Sequence, residues 1–376
     1  MSVYCTAPWN GLTIREDGTV RTCCNGRTSL GNLNTESIES IESGEILNSL
    51  RQAMLTDTPV LDNCRDCIQH EQRSGLSSLR QYYLKNYPDI DNLRLQFLDI
   101  RWNNTCNLGC MYCSPVFSST WTDRLSSDRK IPPVKSYQDD LLDWILERAD
   151  HVKEIMLVGG EPLLMKQNYT LLKKLPQDCR ISIITNLSYD LESLPCITSL
   201  LDRPRENIIW NVSLENIGEQ FEYVRNGASW SQVEHNLKYI SSRWPVSCAM
   251  VYSMFSAFDL LTTVQKLSEY GIKKFNFQPV GGVPEIDVFL MPDSIKLTAL
   301  AELEKTIQWH NESLHPEDRD LFTMQGVDAL ITFLKRQNNN PISFVDVWNK
   351  IEWFDSWNHR RFKELWPNVA LLLPKN

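Results

Sequence analysis

The hydrophobic rhythm of the chain changes near residue 90. From there, short runs of aliphatic and β-branched residues alternate with segments whose apolar positions recur every three or four residues, the two periods of strand and amphipathic helix. The runs predict strands at 93–101, 154–158, 180–185, 208–214, 246–254 and 274–279. Between them, segment 139–149 places Leu141, Leu142, Ile145 and Leu146 on one face, behind Ser136 and Asp139 spaced as a capping box. Segment 230–241 aligns Trp230, Val233, Leu237 and Ile240. Segment 258–270 aligns Leu260, Leu261, Val264 and Leu267 ahead of Gly271, a residue suited to end a helix. Repeated strand–helix units predict a parallel sheet with right-handed crossovers. Six units are too few to close an eight-stranded barrel, so the pattern predicts an α/β fold, a partial (β/α)6 TIM-like barrel.

The flanks have a different texture. Residues 12–22 alternate about Asp17-Gly18 and predict a hairpin, and 38–54 predicts a helix through Ile41, Ile46, Leu47 and Leu50. Beyond 290 the pattern is helical, over 297–310, 318–337 and, with internal turns, 344–365. Trp309, Trp348, Trp353, Trp357 and Trp366 crowd this region and read as packing residues. The expected organisation is a cysteine-rich unit over 1–85, the barrel over 90–285 and a helical C-terminal extension over 290–376.

A formal charge of −9 argues against nucleic-acid binding through bulk electrostatics. The start, Met1-Ser2-Val3-Tyr4, has no signal-peptide pattern, and no apolar run is long enough to span a bilayer, so the expectation is a cytoplasmic protein without a membrane partner. In a reducing compartment its eleven cysteines are metal ligands or core residues rather than disulfides. Cys179, Cys196 and Cys248 are isolated among apolar neighbours and read as core. The other eight fall in the first 113 residues.

Cys106, Cys110 and Cys113, at x3 and x2 spacing, follow the first barrel strand. Three thiolates can hold three corners of a cubic iron–sulfur cluster and leave the fourth iron open to a ligand, as an open position does in catalytic zinc. One strand later comes Gly159-Gly160-Glu161-Pro162, whose glycines permit close backbone approach and whose carboxylate suits an ammonium group. Loops after barrel strands share the ligand-binding face. Earlier in the chain, Cys64-x2-Cys67 with Cys5 and either Cys23 or Cys24 supplies four thiolates, a set that both zinc and a cluster accept. The histidines show no ligand-type spacing, and no general base is assigned.

Cys-x3-Cys-x2-Cys with Tyr112 before the last cysteine, followed by Gly-Gly-Glu-Pro, resembles the radical S-adenosylmethionine (SAM) superfamily. The resemblance implies a [4Fe–4S] cluster whose open iron chelates SAM, reductive cleavage to a 5′-deoxyadenosyl radical, hydrogen abstraction from a substrate, and an electron donor such as flavodoxin or ferredoxin. It implies Tyr112 near the adenine, Gly159, Gly160, Glu161 and Pro162 at the methionine ammonium, and Asn186 and Ser213 at ribose and carboxylate. Arg225 is a further candidate for the carboxylate. The family often has Asp-Gly after the serine; here Glu215-Asn216 stands there, and Glu215 receives no role.

The N-terminal region is similar to the twitch/SPASM group through Cys5-x2-Pro8-Trp9, Asp17-Gly18, Cys23-Cys24, Leu30-Gly31-Asn32, Leu50-Arg51, Cys64-x2-Cys67, Glu71, Gly75, Ser78 and Arg80. This implies an auxiliary [4Fe–4S] cluster, although here the cysteine-rich region precedes the barrel, whereas in most of that group it follows. The expected substrate is a peptide or protein side chain. The alternatives are a small sugar or cyclitol alcohol oxidised by the same chemistry, and a non-catalytic iron–sulfur or zinc scaffold.

Overall fold

The computed structural model describes residues 3–58, 60–74, 78–90, 95–125, 137–313, 321–338 and 340–374. The chain forms two compact units: residues 1–106, 114–184 and 194–208 in the first, and 107–113, 185–193 and 209–376 in the second.

In the first unit, β1 (Gly11–Ile14), β2 (Thr19–Arg21) and β3 (Gly31–Asn32) form an antiparallel ribbon. Its first turn uses Gly18 at φ +80°, as the Asp-Gly pair predicts. β1 also pairs in parallel with β4 (Phe97–Ile100), Gly11 opposite Phe97 and Ile14 opposite Ile100. The cysteine-rich region is thus built onto the sheet, which its pattern does not reveal. Strands this short carry too little periodicity to name a distant partner. β4 continues parallel to β5 (Glu154–Leu157), and β5 to β6 (Arg180–Thr185).

Leu98, Ile155 and Ile181 lie side by side across these strands, as do Ile100, Leu157 and Ile183. All six are fully buried, and the crossover helices Tyr137–Glu147 and Lys166–Lys174 bury Leu141, Ile145, Leu171 and Leu172. The alternate row, Thr13, Asp99, Met156 and Ser182, is mostly polar.

The second unit holds β7 (Ile208–Ser213), β8 (Val246–Tyr252) and β9 (Lys274–Pro279), parallel, with Val212 opposite Cys248 and Cys248 opposite Phe275. Helix Trp230–Ser241 has the predicted bounds, and Leu260–Glu269 ends before Gly271 at φ +82°. The tail contributes helices Asp293–Ser313, Leu321–Lys335, Phe344–Asp355, Phe362–Leu365 and Pro367–Leu372. Its tryptophans are packing residues where they are buried. Trp366 stacks on Phe362 at 5.5 Å between ring centroids and meets Tyr223 edge-on at 5.4 Å.

The six predicted strands and the parallel α/β arrangement are present. Segment 38–54 is the main local difference: it forms two helices, Ile38–Glu42 and Glu45–Leu55. Gly44, extended at ψ 155°, breaks the run, and a glycine there favours a fresh helix start over continuation. Residues 93 and 94 of the first predicted strand, Ser136 of the expected capping box, and Gly75 lie outside the described residues. Among the described residues, no helix is long and apolar enough to cross a membrane.

Candidate functional site

The loop that carries three of the cysteines starts in the first unit. The Cys106 N–H donates to Ser119 Oγ at 3.1 Å, and the Cys106 carbonyl accepts from Thr120 Oγ1 at 2.8 Å. The Gly-Gly-Glu-Pro loop packs against the backbone leading into it. A Cβ on Gly160 would stand 2.2 Å from the Thr105 carbonyl oxygen, and Gly159 holds φ +119° beside Asn103. These glycines therefore permit close approach to the cysteine loop's own backbone. Glu161 N–H donates to the Thr105 carbonyl at 2.8 Å. The buried Glu161 carboxylate accepts from Leu163 N–H at 3.1 Å, capping the short 3-10 turn that opens with Pro162.

In the second unit, residues 107–113 dock on the segment after helix Gly218–Val224. Gly109 N–H donates to the Asn226 carbonyl at 2.9 Å and Met111 N–H to the Val224 carbonyl at 3.0 Å. Cys110 lies between these two main-chain bonds, and the Cys113 N–H donates to the Cys110 carbonyl at 3.0 Å. Arg225 is buried, not an exposed cation. Its Nε and Nη2 each donate to Glu215 at 2.8 Å, its Nη1 lies 3.7 Å from Cys110 Sγ, and its guanidinium sits 5.6 Å from the centroid of the Tyr112 ring. Burial, the largest single influence, lowers the Arg225 pKa; Glu215, Tyr112 and Cys110 together outweigh it and hold the pKa well above the usual value.

Asn186 Nδ2 donates to Asn107 Oδ1 at 3.1 Å, so the residue that ends β6 touches the cysteine loop. Its neighbour Leu187 is fully buried at φ +56°, a left-handed conformation that costs a non-glycine residue about 1–2 kcal/mol. Bonds from Leu187 N–H to Thr185 Oγ1 at 2.9 Å and from Asn236 Nδ2 to the Leu187 carbonyl at 2.8 Å hold it there. Ser213 is half-buried at the end of β7, opposite Ala249. The second unit thus brings together Cys110, Tyr112, Asn186 and Arg225 around residues 107–113, and the first brings Gly159, Gly160 and Glu161 to the approach to Cys106.

The remaining cysteines lie in the first unit. Helix Leu61–Ser74 carries Cys64 and Cys67 three residues apart, on one face. Cys5 interacts electrostatically with Cys64 and Cys67, and Cys23 with Cys5 and Cys67. The largest charged neighbours of Cys24 are instead Asp99 and Arg101. Burial pushes the Cys5 thiol up to about 12 and the Cys24 thiol to about 11. Three of the sulfurs face N–H donors, from Ala7 to Cys5 at 3.5 Å, Asn63 to Cys64 at 3.6 Å and Asn25 to Cys67 at 3.7 Å.

Glu71, buried, accepts from Arg80 Nε at 3.0 Å and also from Arg80 Nη2 and Ser78, and so ties the Cys64/Cys67 helix to helix Leu79–Asn86. That second helix supplies Tyr83, which is buried in the same apolar cluster as Cys5, with Cys23 and Cys64 packed against it. Its hydroxyl has no hydrogen-bond partner among the described residues. A buried hydroxyl without a partner costs about 1–3 kcal/mol, so its place beside the thiols fits a group that offers acceptor sulfurs. Among the described residues, no three His, Cys, Asp or Glu side chains form a ready-made site for a single ion; the four thiols share a neighbourhood, not a closed cage. Cys179, Cys196 and Cys248 are core residues, 1% exposed or less.

Residues 100–267 match the radical SAM superfamily, and residues 5–68 match the SPASM iron–sulfur cluster-binding domain. Residues 100–267 thus form a radical SAM domain. The second match makes the N-terminal region of SPASM type, and the two family descriptions name SAM and an iron–sulfur cluster. Among curated relatives it is 28% identical to GTP 3′,8-cyclase of Campylobacter lari over 137 residues, 33% of this chain and 39% of that one. Solved structures similar to it include anSMEcpe with bound AdoMet (TM-score 0.45, 18% identity, 60% of each chain). Another is SuiB of Streptococcus suis bound to precursor peptide SuiA (TM-score 0.40, 15% identity, 75% of this chain and 63% of that one). The chain thus spans about two fifths of the curated relative's length.

Sequence reasoning missed Glu215, Asn107 and Tyr83. Glu215 had a readable signal, a carboxylate ten residues before Arg225 across one amphipathic helix. Tyr83 had none, because its neighbours come from distant parts of the chain.

Proposed function

We propose that this radical SAM protein is a cytoplasmic enzyme that cleaves SAM reductively and abstracts hydrogen from a peptide or protein side chain. The observation that carries the reading is the built environment of the cysteine loop. Main-chain bonds flank Cys110, Ser119 and Thr120 fix Cys106, and the Gly-Gly-Glu turn packs against the approach to it. In this reading Cys106, Cys110 and Cys113 hold a cluster with one open iron. Gly159, Gly160, Glu161 and Pro162 receive the methionine ammonium, Tyr112 the adenine, and Asn186 and Ser213 the ribose and carboxylate. Arg225, its fork already paired with Glu215, serves the cluster loop instead of a ligand carboxylate. When bound, the cluster and SAM supply one-electron reduction and a 5′-deoxyadenosyl radical. A ferredoxin- or flavodoxin-type donor supplies the electron.

Cys5, Cys23, Cys64 and Cys67 hold an auxiliary [4Fe–4S] cluster, with Cys24 outside the ligand set. The functional segments remain the cysteine-rich region to residue 85, the barrel over 90–285 and the helical extension from 290. For the substrate, Trp357 is 38% exposed, lies edge-on to Trp353 at 6.2 Å, and accepts at its carbonyl from Asn226 Nδ2 at 3.0 Å. An aromatic surface joined to the segment that docks the cysteine loop suits an extended peptide.

Replacing Cys106, Cys110 and Cys113 together by alanine tests the assignment. The expected protein keeps about four irons, those of the auxiliary cluster, and releases no 5′-deoxyadenosine with SAM and dithionite. Release at the wild-type rate would place the chemistry at a different site, and no release from wild-type protein with an intact cluster would support a scaffold. Transfer of deuterium into 5′-deoxyadenosine from a deuterated sugar or cyclitol, with none from deuterated peptides, would replace the proposed substrate class.

A further inference from the structure

Arg225 presents its guanidinium to groups of this chain on every side. Two nitrogens are held by Glu215 in a bidentate fork at 2.8 Å each, and the third, Nη1, lies 3.7 Å from Cys110 Sγ. Arg225 is 5% exposed and Glu215 1%. Glu215 Oε1 also accepts from Val251 N–H at 3.4 Å, which fixes the carboxylate to β8. The two main-chain bonds from Gly109 and Met111 to the residues on either side of Arg225 hold sulfur and guanidinium in register. A buried ion pair is seldom kept for stability, because desolvating both charges costs as much as their attraction returns. The geometry calls for another use.

We infer that Arg225 is a positioning residue that donates from Nη1 to the Cys110 thiolate and thereby raises the reduction potential of the cluster on Cys106, Cys110 and Cys113, with Glu215 locking the guanidinium in place. The inference rests on the assignment of those three cysteines as ligands. Reduction adds negative charge to the cluster and its thiolates. A donor aimed at one sulfur stabilises the reduced form more than the oxidised form. The pair is neutral as a whole, so the two partners act with opposite sign. Removing the arginine leaves a buried carboxylate near the cluster, and removing the carboxylate charge leaves a cation.

The test is an EPR-monitored redox titration of anaerobically reconstituted full-length protein, following the signal that responds to added SAM. Arg225→Gln is expected to shift the midpoint to more negative potential and Glu215→Gln to more positive potential. Arg225→Lys keeps the charge but loses the third directed donor, and is expected to fall below wild type. The double variant Glu215→Gln/Arg225→Met removes both charges and is the form best able to fold if a single variant does not; it too is expected below wild type. Variants that hold the cluster at the wild-type potential would overturn the inference, as would shifts of one sign for both Arg225→Gln and Glu215→Gln. Wild-type protein without a SAM-responsive signal would instead overturn the ligand assignment.

Discussion

At the scale of single residues, sharp tests lie where an atom has no alternative place to go. Gly160 is one. Its missing Cβ leaves room for the Thr105 carbonyl, a backbone group that cannot swing aside. Gly160→Ala is expected to cost about 1–3 kcal/mol in denaturant unfolding and to weaken SAM binding in equilibrium dialysis, by moving the approach to Cys106. Tyr83 is another. In cluster-free protein its buried hydroxyl meets no partner among the described residues, so Tyr83→Phe is expected to leave stability unchanged or raise it by about 1 kcal/mol. In cluster-loaded protein the same change is expected to lower thermal stability. A loss of equal size in both states would show that the hydroxyl does not meet a cluster sulfur. Cys23 and Cys24 separate in the same way. Cys23 interacts with both Cys5 and Cys67, whereas for Cys24 the influences of Asp99 and Arg101 exceed that of Cys67, so Cys23→Ala is expected to lose the auxiliary irons and Cys24→Ala to keep them. Spacing could not choose between adjacent cysteines; only the folded neighbourhood distinguishes them.

At the scale of elements, the barrel was legible and the attachments were not. The strands of 154–158, 180–185 and 274–279 showed themselves as continuous apolar or alternating runs, and each lies within a residue of its observed bounds. The β1–β4 pairing did not show, because a four-residue strand gains its meaning from a partner 86 positions away, Gly11 against Phe97. Nor did the role of Glu71, Ser78 and Arg80, which the sequence offered only as points of family resemblance. Their buried network links the Cys64/Cys67 helix to the Tyr83 helix. Breaking a buried pair leaves one charge uncompensated, at about 3–5 kcal/mol. Arg80→Ala is therefore expected to unfold at lower denaturant and to lose about half of its iron, with the SAM-responsive cluster retained. Loss of that cluster in equal measure would mean the network supports the whole protein and not the auxiliary region.

At the scale of the whole molecule, a SPASM iron–sulfur domain and a radical SAM domain stand in one chain, and in the proposed ligand sets only the second cluster is short of a protein ligand. Four thiols share the N-terminal neighbourhood. Three sit in the loop after the first barrel strand, and the residues around that loop are those expected to receive the methionine end of SAM. The C-terminal helices read from the sequence as a packing extension, and Trp348 and Trp366 are buried in that role, while Trp357 remains 38% exposed beside the segment that docks the loop. What the sequence left open was how tightly that segment is made. The sequence offered Arg225 as a candidate for the SAM carboxylate and gave Glu215 no role; in the fold the two form a buried pair. The account therefore stands on one quantity, the yield of 5′-deoxyadenosine from anaerobically reconstituted wild-type protein given SAM and dithionite. It predicts release from protein carrying about eight irons and eight sulfides, with none from the Cys106/Cys110/Cys113 triple-alanine variant. An intact, SAM-responsive cluster that releases no 5′-deoxyadenosine would contradict it.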